Sequence, residues 1–245
     1  MSDSELDKTR RRGEIELCFP IKPVSGTSNP KIKKAFIDKI QQVTSAYNFI
    51  LSGDVKIEIE WRIHERQRYE FPSSPDLDNI LKPIVDALSG PQGLLIDDCQ
   101  VQTVTCYWID HFNLNEEEIT VRIRLMTADD GLLKDKLFFV LMESKTESEM
   151  GTKTESKLCY PISFSGIDSQ PALEAMVGLL ESVQQRLTLR DELLELNIEY
   201  YSAQTIMPSQ QFFHIQRINK HFESNLIKLA DLKAKLLDNS QIIDC

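Results

Sequence analysis

Residues 76–98 contain one lysine and five aspartates, and the lysine and four of these aspartates are spaced so that they could carry out phosphate chemistry. Asp76 and Asp78 stand two residues apart, Lys82 follows Asp78 at the i,i+4 spacing, and Asp97 and Asp98 come after a turn. Crowded carboxylates repel each other and raise each other's pKa unless a cation neutralises them. Mg²⁺ prefers such hard oxygen ligands and usually keeps water and substrate phosphate in its shell. The group therefore predicts a Mg²⁺ site, in which Mn²⁺ could substitute.

The spacing also predicts the helix that positions this group. Apolar residues recur every three or four positions over 77–88, which indicates an amphipathic helix with Asp78 and Lys82 on its flank. Pro83 lacks an N–H group and is expected in a first helical turn. The helix should therefore begin near Asp78 or Asn79, with that residue as its cap.

A glycine-bounded turn over residues 90–93 and the apolar run 94–96 then return the chain toward the helix start. This return can bring a further carboxylate beside Asp76 and Asp78. Two metal ions about 4 Å apart would activate a water and stabilise the leaving oxygen of a phosphodiester, and Lys82 would place positive charge on the transition state. A purely structural alternative uses the same residues as a helix cap, an i,i+4 ion pair and an acidic turn. Spacing alone does not separate the two interpretations.

The segments PDLDNILKPIVDALSG and LLIDDCQV resemble the signature of the RusA-like Holliday junction resolvases, which has D-x-D-N, a lysine, D-A-L, a glycine and D-D-x-Q-V. The resemblance spans roughly residues 12–128. It implies a homodimer that binds four-way DNA junctions and cuts two strands symmetrically with magnesium. Asn79, Asp86 and Gln100 also match, and structural roles are expected for the first two. The functional residues implied by position are the metal-site acids Asp76, Asp78 and Asp98, with Asp97 as a weaker candidate, and the catalytic Lys82.

The net charge argues against a DNA partner, whereas the distribution of the charges along the chain permits one. The formal net charge is −10, whereas phosphate binding depends on Lys and Arg. The acidic excess lies after residue 82, where 14 Lys and Arg face 25 Asp and Glu; residues 1–82 hold 14 and 13. Each early basic cluster alone is compatible with a solvated face, but together they predict a track for DNA. The residues are Arg10, Arg11, Arg12, Lys31, Lys33, Lys34, Arg62, Arg66 and Arg68.

Hydrophobic periodicity predicts an α+β domain over residues 1–130, with a mixed β-sheet and two helices. Alternating runs predict strands in EIELCFPIKP, DVKIEIEWRIH, CQVQTVTCYWI and EEEITVRIRLM. A helical stripe runs from Ile32 to Tyr47, and the segment ERQRYEFPSSP is predicted to be a polar loop.

The remaining chain predicts a strand and polar linker over 131–160, then a C-terminal α-helical hairpin over 161–245. The linker is placed in ESKTESEMGTKTESK. The first helix should start at Asp168 or Ser169, with Pro171 in its first turn, and a second apolar seam runs over 215–236. The hairpin could contact a second copy or a partner protein, pack on the nuclease sheet as extra core, or cover the basic surface and inhibit it.

The cysteines and the hydropathy of the chain indicate the cellular environment of the protein. The five cysteines are scattered and never spaced as C-x-x-C, which argues against a disulfide framework and a zinc site. The start has no apolar signal region and no run could span a bilayer, so a soluble cytoplasmic protein without membrane contact is expected. The resulting hypothesis is a Mg²⁺-dependent endonuclease for branched DNA. The alternatives are a nuclease subunit of a larger assembly and a non-catalytic DNA-structure-binding module.

Overall fold

The computed structural model describes residues 5–72, 74–127, 131–147, 153–167 and 169–237. The chain divides into two compact units, Met1–Leu132 and Leu133–Cys245. The α+β class predicted from the sequence is confirmed.

A four-stranded mixed sheet forms the centre of unit 1. Its order is β1-β5-β3-β4, with antiparallel pairs except for the parallel pair β3 and β4. The strict alternation of β3 places Ile57, Ile59 and Trp61 on a buried face. Two short strands, β2 and β6, pair separately. The strands are β1 (Glu14–Phe19), β2 (Phe49–Leu51), β3 (Val55–Ile63), β4 (Val101–Asp110), β5 (Glu118–Leu125) and β6 (Gly131–Leu133).

Four helices accompany this sheet: α1 (Glu5–Arg12), α2 (Pro30–Thr44), α3 (Glu65–Glu70) and α4 (Leu77–Leu88). α2 and α4 pack against each other and bury apolar side chains such as Ile40, Ile80 and Ile84. Burial of this kind is the main favourable term in folding. These two helices, one on each side of β3 in sequence, are the two that the sequence predicts.

Two local predictions in unit 1 were wrong. The segment predicted as a polar loop contains α3, because the His64 ring accepts a hydrogen bond from the Arg66 backbone N–H (3.0 Å) and caps a helix too short to show periodicity. The predicted stripe of α2 extends too far, since the helix ends at Thr44 and Tyr47 precedes β2. The Thr44 hydroxyl instead donates to the Gln92 carbonyl (2.7 Å).

The other face of the sheet carries an ionic network that joins all four strands. Arg122 of β5 donates to Glu16 of β1 (2.6 Å) and to Glu58 of β3 (2.9 Å). It also contacts Glu60, and the Tyr107 hydroxyl of β4 donates to both Glu58 and Glu60. Hydrogen bonds from Arg122 and Tyr107 lower the pKa of Glu58. Burial raises the pKa of Glu60, but the hydrogen bonds from Arg62, Tyr107 and Arg122 together outweigh it and lower the pKa.

Arg122→Met should lower the free energy of unfolding by about 2 kcal/mol at neutral pH, because Glu58 loses its arginine partner and the buried Glu60 keeps only Arg62 as a cationic partner. A carboxylate with a lowered folded-state pKa stabilises the fold above its unfolded pKa, and this contribution is lost as pH falls through the folded pKa. The difference from wild type should therefore shrink in acid. Urea unfolding at neutral and acidic pH measures it. Arg124→Met, which removes the exposed pair with Glu14, is the control and should change little; an equal loss in both variants would contradict the network's role.

Unit 2 is built on its own four-stranded sheet, not on a helical hairpin alone. Its order is β10-β7-β8-β9, with β7 and β8 antiparallel and β10 parallel to β7. The segment predicted as a polar linker is strand at both ends, which corrects that prediction. The apolar halves of β7 and β8 pair with each other, and the same antiparallel register continues into their polar halves. The strands are β7 (Leu137–Glu147), β8 (Lys153–Ser163), β9 (Phe213–His214) and β10 (Leu226–Lys228).

The first predicted C-terminal helix exists as α5 (Gln170–Glu195), with Ser169 as the cap and Pro171 in the first turn. Asp168, the other start candidate, lies outside the described residues. The helix ends before Asn197, whose φ of 59° is the left-handed conformation typical of a helix end. Arg190 of this helix is buried and pairs with Asp191 (2.9 Å). The apolar stripe of α5 forms one core with residues of β7 and β8.

The second predicted helix is wrong, because its residues form short elements that complete the unit 2 sheet. Residues 215–236 form α7 (Ile215–Asn219), β10 and most of α8 (Leu229–Leu237), and α6 (Tyr200–Gln204) and β9 precede them. The apolar residues of this segment have a helical spacing, but they do not form one helical face. Phe222, for example, packs on Phe139 of β7, with ring centroids 4.9 Å apart. Asn225 donates its amide to the Leu137 carbonyl (2.9 Å).

Among the described residues the four cysteines present, Cys18, Cys99, Cys106 and Cys159, are free thiols. Cys245 lies outside the described residues. The described helices include none with the length and apolar content needed to cross a bilayer.

Candidate active site

The helix α4 presents Asp76 and Asp78 at its start. Asp76 occupies the N-cap position, but its side chain makes no capping hydrogen bond, so the carboxylate is left facing outward and exposed. Asp78 lies in the first turn and is also exposed. The positive end of the helix dipole stabilises negative charge at these positions. The helix begins slightly earlier than its predicted start at Asp78 or Asn79.

Pro83 lies in the interior of α4 and not in its first turn, which corrects the sequence prediction. A proline there cannot donate to the carbonyl of Asn79. The Gly26 backbone N–H donates to that carbonyl instead, at 2.8 Å, and Lys33 Nζ donates to the Gly26 carbonyl at 2.9 Å. The loop before α2 therefore replaces the missing helical bond and lies against the start of α4.

The return after α4 is as tight as the sequence predicts. A Cβ on Gly93 would lie 2.0 Å from the Leu88 carbonyl oxygen, so only glycine fits. Leu94 and Leu95 donate their N–H groups to that same carbonyl, and residues 94–96 are fully buried. They form isolated bridges and not a regular strand. The return directs the following residues back to α4.

The two aspartates after this return have different surroundings. Asp97 is buried and caps a short 3₁₀ turn by accepting from the Cys99 N–H (3.1 Å). Gln100 completes the capping box and donates its amide to the Leu51 (2.9 Å) and Gly53 (2.8 Å) carbonyls. Asp98 is partly exposed. The structure thus gives Asp97 a structural role and presents Asp98 to the surface.

Lys82 lies between two carboxylates. Its Nζ is 3.0 Å from Asp86 Oδ1 and 3.9 Å from Asp98 Oδ2. The hydrogen bond with Asp86, followed by the charges of Asp86, Asp98 and Asp97, raises the pKa of Lys82. The side chain is therefore an ammonium at neutral pH. It can stabilise negative charge, but it is not available as a proton acceptor.

Arg68 lies beside Asp76. Its guanidinium is 3.8 Å from Asp76 Oδ1 and lies over the Trp61 ring, 6.0 Å from the centroid. The side chain is largely covered, and its Nε makes no hydrogen bond with the described residues. The sequence predicted Arg68 as a DNA contact but gave no sign that it lies beside a candidate metal ligand.

The chemistry of the donor set fits a divalent cation that keeps part of its water. Asp76, Asp78 and Asp98 offer hard oxygen ligands, and all three can be reached from solvent. The described residues contain no three His, Cys, Asp or Glu side chains already close enough to hold an ion. Mg²⁺ commonly uses one or two carboxylates and completes its shell with water and phosphate oxygens, so a closed protein cage is not required.

The basic residues predicted as DNA contacts lie on different elements of unit 1. Lys31, Lys33 and Lys34 lie at the start of α2, the end that the Gly26 loop joins to α4. Arg66 and Arg68 lie on α3. Arg62 alternates away from the buried face of β3 and pairs with Glu60 (2.7 Å) and Glu118 (3.1 Å). Arg11 and Arg12 lie exposed on α1; the side chain of Arg10 is outside the described part of the chain.

The arrangement is that of an α+β domain with two carboxylates at the start of α4, a lysine one turn further along the helix and a third carboxylate after the chain return. Residues 20–124 match the family model Endodeoxyribonuclease RusA, and the matched segment includes Asp76, Asp78, Lys82 and Asp98. Residues 20–124 of unit 1 are therefore similar to the RusA family, which comprises Holliday junction endonucleases that depend in general on a divalent metal. A comparison with curated proteins finds no match.

Proposed function

We propose that the protein is a Mg²⁺-dependent endodeoxyribonuclease that hydrolyses phosphodiester bonds in four-way or related branched DNA. The observation that carries the proposal is the position of Lys82, 3.9 Å from Asp98 after a tight chain return and one helical turn from Asp78. If Asp78 were only a helix cap and Lys82 only the partner of Asp86 in an i,i+4 ion pair, nothing would require Asp98 to lie near Lys82. The match to the RusA family supports the same residues.

Asp76, Asp78 and Asp98 would hold the cation. When bound, it supplies charge for the scissile phosphate and lowers the pKa of an attacking water. Lys82, kept as an ammonium by its two carboxylate neighbours, stabilises the negative charge that develops on the phosphate oxygens. Asp86 positions Lys82 through their 3.0 Å contact. Asp97, buried in its capping box, positions Asp98 and does not need to bind metal.

The proposed DNA track crosses the start of α4. Lys33 contacts the Gly26 loop, which lies against the start of α4, Lys31 precedes it on α2, and Arg68 lies beside Asp76. Basic residues near a carboxylate site can bind backbone phosphates while the carboxylates bind the cation. The pairing of Arg62 with Glu60 and Glu118 favours a structural role for that residue.

We further propose that two copies act together, because symmetric incision of a junction needs two sites at a fixed separation. Unit 2 contains none of the candidate site residues and has its own core, which favours an accessory role such as contact with a second copy or a protein partner. A non-catalytic DNA-binding module is the less supported alternative, since all four matched catalytic positions carry acidic or lysine residues.

The test is a cleavage assay with a four-way junction, a flap, a single strand and a linear duplex of matched sequence. Cleavage of the junction or flap in Mg²⁺, at least about 10-fold faster than cleavage of the duplex and abolished by EDTA, is expected. Equal cleavage of all four substrates would contradict structure selectivity. Cleavage that continues in EDTA would contradict metal dependence.

A further inference from the structure

Three exposed aromatic side chains lie on α3, just after it, and on the connection that follows β4. Tyr69 is 68% exposed, Phe71 47% and Phe112 99%. Large apolar side chains with no cover on a folded surface often mark a binding site when they are grouped. We call Tyr69, Phe71 and Phe112 the aromatic surface.

Direct contacts hold the two segments of this surface together. The Glu65 backbone N–H donates to Asp110 Oδ1 at 2.8 Å. The ring of Tyr69 lies edge-on to Trp108, with centroids 5.6 Å apart and an interplanar angle of 79°. The Gln67 amide donates to the carbonyl of Leu114. The aromatic surface therefore belongs to one supported part of unit 1 and does not sit on two independent loops.

Arg68 connects the aromatic surface to the candidate active site. It is the neighbour of Tyr69 in α3 and stands 3.8 Å from Asp76. Its buried Nε has no hydrogen-bond partner among the described residues. A buried donor without an acceptor is unfavourable, and a phosphate oxygen near Asp76 would provide one.

The residue types of the aromatic surface indicate which class of ligand it binds. The exposed charged residues Arg66 and Glu70 lie on α3 together with Tyr69, so the patch is not the continuous apolar core of a protein interface. Aromatic rings interspersed with cations are the arrangement that binds unpaired nucleotides, with bases stacked on the rings and phosphates on the cations. The exposed pair of Arg66 with Glu70 contributes little, so a phosphate can replace it.

We propose that the aromatic surface stacks unpaired nucleobases of the DNA substrate while Arg68 binds an adjacent phosphate. The inference rests on the proposed function and adds a specificity site to it. Bases in a continuous duplex are stacked on each other and offer no free face, whereas a branch point can expose one. Stacking beside Asp76 would therefore place the branch of the DNA next to the candidate metal ligands.

The experiment uses the full chain in EDTA, where cleavage is not expected, and a four-way junction with 2-aminopurine at its branch point. Wild type should quench the fluorescence as the base stacks on a ring. The double variant Tyr69→Ala/Phe112→Ala should lose the quenching and bind the junction and a single strand about 10- to 100-fold more weakly. Binding of a blunt duplex should change less than about 2-fold. Tyr69→Phe should retain wild-type binding, since it keeps the ring.

Tyr201→Ala is the matched control, because Tyr201 is an equally exposed aromatic residue in unit 2; it should behave as wild type. Unchanged junction binding in the double variant, or an equal loss for junction and duplex, overturns the inference. So does a change of oligomeric state in light scattering, which would make the surface a protein contact. If wild type shows no preference for the junction but still binds a single strand through Tyr69 and Phe112, the proposed function fails and the stacking site stands.

Discussion

Asp78→Asn is expected to lower the rate of junction cleavage by about 1,000-fold while leaving the thermal midpoint of unfolding close to that of wild type. Asp78 is exposed in the first turn of α4, so the fold depends little on its charge. Asparagine has nearly the same shape but lacks the negative charge that would hold a divalent cation, and losing electrostatic stabilisation of this kind has a large effect on rate. Initial rates in Mg²⁺ under single-turnover conditions measure the loss.

The control for Asp78 is Asp38→Asn, which changes an exposed aspartate on α2 that pairs with Lys34. It should retain full activity. Asp76→Asn and Asp98→Asn are expected to behave like Asp78→Asn, whereas Asp97→Asn should lower stability through its buried cap. Full cleavage by the Asp78 variant in Mg²⁺ would remove this residue from the site.

Lys82→Ala is expected to lower kcat by about 100-fold and to change the Kd for junction DNA by less than about 3-fold. The Lys82 ammonium lies beside Asp98, where it can act on charge that is present only in the transition state. As one phosphate contact among many, it contributes little to ground-state binding. Single-turnover rates and equilibrium binding in EDTA separate the two quantities.

Lys34→Ala is a matched control for Lys82, because Lys34 also stands at i,i+4 from an aspartate on an exposed helix face. Lys34 has no second carboxylate neighbour among the described residues, so its removal should leave kcat unchanged even where it lowers DNA affinity. Equal losses of kcat and affinity in Lys82→Ala would make Lys82 a DNA-binding residue without a role in the transition state.

Elements governed by local periodicity could be predicted from the sequence. The alternation in 55–63 and the helical spacing in 77–88 each have one buried face, and the structure contains both elements. The return that brings Asp98 to Lys82 was also foreseeable, because Gly90 and Gly93 bracket a turn only a few residues long. The alternation in 55–63 also indicates that Arg62, between the buried Trp61 and Ile63, lies on the opposite face of β3.

Features that depend on distant residues could not be predicted in this way. Pro83 is tolerated inside α4 because the Gly26 N–H, from another part of the chain, occupies the Asn79 carbonyl. The polar strand ends of β7 and β8 follow a register set by their buried halves. The seam over 215–236 has helical spacing, yet the pairing of β10 with β7 divides it.

The contact of Arg68 with Asp76 joins two segments that the sequence separates by a proline-containing loop. Neither the charge of Arg68 nor its spacing from Asp76 indicates that its guanidinium rests over Trp61. The aromatic surface was missed for the same reason. Phe112 follows β4 and Tyr69 lies on α3, and only the tertiary contacts of Trp108 and Asp110 place them in one region.

The most direct measurement maps the incisions made in a four-way junction whose strands are labelled one at a time at the 5′ end. In Mg²⁺, wild-type protein should cut two opposing strands at symmetric positions near the branch, and Asp78→Asn should produce no cuts above background. Incisions spread along the arms, or the same symmetric cuts by the Asp78→Asn protein, would contradict the account of a branched-DNA endonuclease at the start of α4.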